Sequence, residues 1–163
     1  MSTRTAIFKE QENGDFLGIY CHHDGYIDGV GATLLKHYKD PKKTQQLIDK
    51  KTPLSSLGTE PVLAEVYDRV SLKYRLVDEA NCGVIDINMR EQYLASSIDE
   101  LQNIDYKTID ESGKVQGFTK TIHDKKEIFV PYKGSDNNGF IFVQMLNGKW
   151  KVSEFQKKFR SFK

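Results

Sequence analysis

An α+β domain is the fold class this sequence predicts: an antiparallel sheet with an N-terminal hairpin, central helices and a C-terminal aromatic hairpin. Three observations predict it. Strand-like runs flank Asn13-Gly14 near one end and Asn147-Gly148 near the other, and Asn-Gly between such runs is the strongest short-range hairpin signal. Between the two, apolar residues recur every four positions, the helical period. Strands at both ends with helices between favour α+β over a wound parallel sheet.

Taken in order, TAIFKEQ (5–11) and FLGIYCH (16–22) are the first two strands, joined through QENGD. Val30, Leu34 and Tyr38 then share one helical face, with Asp28 in N-cap position. Asp40-Pro41 opens a second helix, since proline is tolerated at the first helical position. That helix is polar apart from Leu47 and Ile48, so it lies on the surface. TPLSSLGTEP (52–61) contains two prolines and is the best place for a subdomain break in an otherwise single domain, 1–163. VLAEVYDRVSLKYRLVDE reads equally as a helix or as a pair of strands, and CGVIDIN as a strand. Ser97-Ile-Asp-Glu100 matches a capping box at the start of a short helix. EIFVPYK, GFIFVQML and KWKVSEF, aromatic and β-branched, form the closing antiparallel strands.

The chain has 163 residues, enough for one domain that buries roughly 68–70% of its surface without a disulfide or metal staple. A net charge of +1 excludes a globally basic nucleic-acid binder and an acidic mimic of DNA. Cys21 and Cys82 form no CxxC pair and read as reduced, partly buried thiols of a cytosolic protein. No apolar run is long enough to span a membrane. No cofactor is called for, and self-association is left open.

The densest chemistry lies in IYCHHDGY (19–26). On a strand, His22 and Asp24 share one face and Cys21 and His23 the other, which places the thiol poorly for a Cys–His pair. A metal would need His22, Asp24 and a distant His37 or His123, and no HExxH spacing is present. The plain reading is a strand end whose Asp24-Gly25 turn closes the core rim. The functional reading is recognition: Tyr20, His22, His23, Asp24 and Tyr26 stack on or hydrogen-bond a ligand or partner, with Gly29-Val30-Gly31 opening a helix nearby. A small hydrolase or phosphodiesterase using the same cluster is the alternative. So is Ser2 as an N-terminal nucleophile once Met1 is lost.

Residues 149–163 hold six Lys or Arg against one Glu. Phe155, Phe159 and Phe162 fall at helical spacing, which predicts a helix with one apolar and one basic face. Lys157, Lys158 and Arg160 are its expected contacts to an acidic partner, and nucleic acid enters only through this segment.

The opening motifs carry a resemblance. MSTRTAI, GIYCHHDGY, GVGATLLKHY and the LSSLG of 54–58 resemble a family of small phage and prophage proteins. Its pattern runs STRs-x-I … YCHWDGY … GVGxxLxxHY … LSxL. The match spans about residues 2–58, and FIFVQMLNGKWKV resembles a late hairpin of the same family. His23 departs from it, standing where the family has tryptophan; a position that takes either ring reads as a flat contact surface rather than a catalytic base. The resemblance implies a phage setting, with the host cytoplasm as location. From these readings we expect a non-enzymatic accessory protein that binds a host protein or a nucleotide-like ligand to counter antiviral defence.

Overall fold

Three five-residue loops shape the sheet, and they share one geometry. In Gln11–Asp15, Asp110–Lys114 and Met145–Lys149 the first residue's amide donates to the last carbonyl, and the glycine amide donates back to the first carbonyl. Gly14, Gly113 and Gly148 hold φ of 90°, 85° and 87°, a backbone that glycine adopts without a Cβ penalty. This is a hairpin loop closed by a left-handed glycine. The Asn-Gly pairs thus mark the bends at both ends, and Ser112-Gly113 makes a third that sequence reading missed.

The computed structural model describes residues 3–116, 119–123, 126–130 and 139–162. The first loop joins β1 (Thr5–Glu10) to β2 (Phe16–Cys21), and the last joins β12 (Phe140–Gln144) to β13 (Trp150–Glu154). With β7 (Gln92–Ala95), β8 (Lys107–Ile109), β9 (Val115–Gln116) and β14 (Arg160–Ser161) they form an eight-stranded sheet. Its order is β14-β13-β12-β1-β2-β7-β8-β9. The fold is α+β, as expected, but the sheet is mixed. β1 runs parallel to β12, Thr5 against Phe140 through Lys9 against Gln144, while its other pairings are antiparallel. Two hairpins laid side by side pair through their first strands, and those strands point the same way.

Both faces of the central strands are covered, which explains their unbroken apolar runs. Ile7, Ile19 and Phe142 point to a core shared with α1 (Ala32–His37), α2 (Pro41–Asp49) and residues near 54. Ala6, Phe8, Tyr20, Ile141 and Val143 point to the opposite core, under α3 (Ile98–Gln102), where the rings of Phe8, Tyr93 and Tyr106 meet.

The helices follow their sequence signals with two adjustments. Val30, Leu34 and Tyr38 are buried on one face, and Asp40 caps α2 by accepting the Lys42 amide at 2.9 Å. Asp28, however, does not cap α1. A wide turn, Ile27–Gly31, precedes the helix and starts from Tyr26; the Asp24 carbonyl, accepting the Val30 amide at 2.7 Å, does the capping work instead. At α3 the Ser97 hydroxyl accepts the Glu100 amide at 3.2 Å, but Glu100 reaches back to Ser96, one residue beyond the usual box.

The ambiguous middle resolves into short strands: β3 (Leu63–Glu65) parallel to β6 (Cys82–Val84), and a ribbon of β4 (Tyr67–Asp68) with β5 (Lys73–Tyr74). EIFV does not join the closing hairpin; β11 (Lys126–Val130) pairs with β10 (Thr119–His123) in a ribbon of its own, and the remaining PYK (131–133) falls outside the described residues. The expected C-terminal helix is absent. β13 extends to Glu154, the chain reverses at Phe155-Gln156, and β14 returns along β13. Tertiary contacts override the helical spacing: Phe155 packs edge-on against Phe140 at 5.2 Å, and Phe162 against Phe142 at 5.5 Å.

Two predictions follow from this frame. Phe155 and Gln156 hold φ of 54° and 64° inside a turn closed by the Lys157 amide on the Glu154 carbonyl. Asn and Gly suit that backbone, whereas a left-handed ordinary residue costs on the order of 1 kcal/mol. The variant Phe155→Asn/Gln156→Gly should therefore gain about 1 kcal/mol in urea unfolding, the lost Phe140 contact notwithstanding. Equal or lower stability would show that this ring contact outweighs the backbone term.

Glu91 has a carboxyl oxygen with no hydrogen-bond partner, and burial raises its pKa from 4.5 to about 8. A carboxyl raised on folding keeps its proton in the native chain while the unfolded chain has lost it, so stability falls as pH rises between those values. Urea midpoints across that range should decline in the wild type relative to Glu91→Gln. Parallel curves for the two proteins would refute the assignment.

Candidate functional site

β2 ends at Cys21, and the segment after α2 continues the backbone pairing. Leu54 bridges Cys21, its amide donating to the Tyr20 carbonyl at 2.8 Å. The amides of His22 and His23 donate to Leu54 and Ser55, each at 3.0 Å. Ser55 and Ser56 in turn donate to the Gly83 carbonyl of β6. The glycine suits this close approach, because a Cβ at position 83 would stand 2.6 Å from Ser56 Oγ and 2.7 Å from Val66 Cγ1 and would push both side chains aside. Residues 52–61 therefore knit β2 to β6.

On this scaffold Tyr20 is buried, and its hydroxyl lies 2.7 Å from His22 Nδ1. Tyr20 and His22 share a strand face, as alternation requires. His23 does not go to the opposite face. The strand has ended, and its ring meets that of His22 edge to face at 4.6 Å. Both imidazoles, with Tyr20, line a groove of about 770 Å³. The groove is also lined by Pro53 to Ser56, by Val66, by Tyr74 of β5 and residues 75–77 that follow it, and by Ile85 and Met89.

Asp24 and Tyr26 lie outside it. Asp24 turns the chain away with φ of 59°, and its carboxylate accepts the Tyr26 hydroxyl at 3.2 Å. That carboxylate beside it pushes the Tyr26 hydroxyl pKa up. The structure thus brings together Tyr20, His22 and His23 and separates Asp24 and Tyr26 from them. At the C-terminus Lys157 and Lys158 are exposed beside the Phe155 turn, and Arg160 faces Glu154 at 3.7 Å. These three cations sit on a turn and a strand rather than on a helix face.

Sequence reading missed the other side of the groove. Val70, Leu72, Tyr74 and Leu76 alternate along the sequence from the β4–β5 turn through β5, and all are exposed, from 71% to full exposure. The alternation was visible; that no described layer covers it was not.

The thiol beside the groove is not set up as a nucleophile. The Cys21 thiol is buried, its hydrogen bond goes to the His23 carbonyl at 3.6 Å, and burial pushes its pKa up to about 12. The nucleophile in thiol chemistry is the thiolate, which such a group does not form near neutral pH. Among the described residues no three His, Cys, Asp or Glu side chains converge as a metal would need. His37 ends α1, the side chain of His123 is not among those described, and Ser2 falls outside the described residues. No described helix is long and apolar enough to cross a membrane. The chain matches no protein-family model, no curated protein and no solved structure.

Cys82 is buried as well, and burial raises its thiol too. A thiol reagent such as Ellman's reagent should leave both cysteines unmodified in the native protein and modify both in denaturant. Rapid native labelling of Cys21 would reopen it as a nucleophile.

Proposed function

We propose that this chain is a non-enzymatic accessory protein whose groove binds a host component, a protein or a nucleotide-like ligand. The observation that carries this reading is the pairing of two imidazoles packed edge to face, held by backbone bonds at a strand end, with the exposed side chains of Tyr74 and Leu76 lining the same groove. Apolar side chains that a folded protein leaves in water as a contiguous set mark interaction surfaces. The likeness of residues 2–58 to small phage proteins supports a host partner, and interference with antiviral defence is the role that fits such a setting. The hydrolase reading has less support, since the thiol is inert and Asp24 stands apart from the imidazoles.

The test is the double variant His22→Ala/His23→Ala in a protein carrying a photo-crosslinking residue at Met89, which is exposed and lines the groove. Crosslinked host product should fall about tenfold, equivalent to about 1.4 kcal/mol, while the melting temperature stays near wild type. Unfolding of the double variant would make the histidines structural. Turnover of a model phosphodiester by the wild type, lost in the double variant, would replace binding with catalysis.

A further inference from the structure

Resting on the binding reading above, we infer that the groove's occupant is an extended peptide segment of a partner protein, bearing apolar side chains and at least one carboxylate. Size comes first. The apolar surface does not stop at the groove. Val66, Val77 and Ile85 line it, and in the turn between β4 and β5 Leu72 and Val70 are 71% and 95% exposed. A nucleotide seated against the imidazoles would leave that ribbon face wet. A peptide laid along it would cover both.

Charge decides the partner's sign. Among the described lining residues Arg75 carries the one full charge and none is Asp or Glu. The claim of Asp68 on Arg75 is modest. Asp68 has its pKa lowered mainly by the Ser71 and Val70 amides and only last by Arg75, while Asp86 is held by Arg69 at 2.7 Å. An arginine at an apolar groove presents a fork of donors that matches a carboxylate.

Backbone geometry favours an extended occupant. The two-residue β5 pairs only with β4 among the described residues, so its outer edge offers one rung to an extended peptide. Strand addition supplies affinity through main-chain bonds, while alternate side chains enter pockets.

A display library of random dodecapeptides, panned against the intact protein, tests this directly. Peptides enriched on the wild type should carry Asp or Glu flanked by Leu, Ile, Val or Phe. By fluorescence anisotropy, a selected peptide should bind at least tenfold more weakly to Arg75→Glu and to Leu76→Ser, both exposed positions whose replacement leaves the fold alone. Raising salt should weaken the wild-type complex, since screening acts on the carboxylate contact. Enrichment without acidic residues, no enrichment at all, or binding by both variants as tight as by the wild type would overturn the peptide assignment. ATP and cyclic dinucleotides, titrated in parallel, separate the two levels of inference. If a nucleotide binds and His22→Ala/His23→Ala abolishes it, the groove remains a binding site and only the peptide is wrong. If crosslinking from Met89 also fails, both readings fall.

Discussion

The parallel ladder between β1 and β12 is the constraint on which the rest of the structure depends. It joins residues 135 positions apart, and the Thr5 hydroxyl adds a bond to the Phe140 carbonyl at 2.6 Å. Each of the two hairpins is local, but an isolated two-stranded hairpin is at best marginally stable in water. Only when their first strands pair does β1 gain neighbours on both edges and cover on both faces. The loop-closure entropy of that pairing must be met before its contacts count, and the two apolar cores that form on either side of it supply the return.

A second fastening carries that order outward to the groove. The Tyr38 carbonyl, at the end of α1, accepts Trp150 Nε1 at 2.9 Å and Gln144 Nε2 at 3.0 Å, both from the closing hairpin. The Tyr38 hydroxyl donates to the Gly58 carbonyl at 2.9 Å, and the Gly58 amide reaches the Cys82 sulfur at 3.3 Å. One buried tyrosine thus ties the helical layer to the sheet and to the segment 52–58. That segment fixes the backbones of His22 and His23. The imidazoles are therefore held by elements from the first third, the middle and the end of the chain.

The two sides of the groove differ in kind. Tyr20 belongs to the large sheet, and His22 and His23 continue from it through backbone bonds to Leu54 and Ser55. The β4–β5 ribbon has only short pairings and little burial, which places it at the low-stability end of the molecule.

Much of this was legible in sequence. Asn13-Gly14, Asn147-Gly148, Asp40-Pro41 and the Ser97 cap act within a few residues, through backbone preferences that need no distant partner, and each marks its element correctly. The cluster 19–26 was visible as chemistry. Its division was not, because which of its members face a groove depends on where β2 stops pairing, and Leu54 decides that. The helical spacing of Phe155, Phe159 and Phe162 failed because Phe140 and Phe142, neighbours only in the folded sheet, claim two of those rings. The apolar alternation along 70–76 could be read, but alternation records a face and not what covers it. By itself the sequence determined the turns, the caps and the apolar faces, all products of local sterics and hydrogen bonding. The parallel pairing, the split of the histidine cluster and the uncovered ribbon were decided by tertiary structure alone, since each depends on which distant surfaces meet.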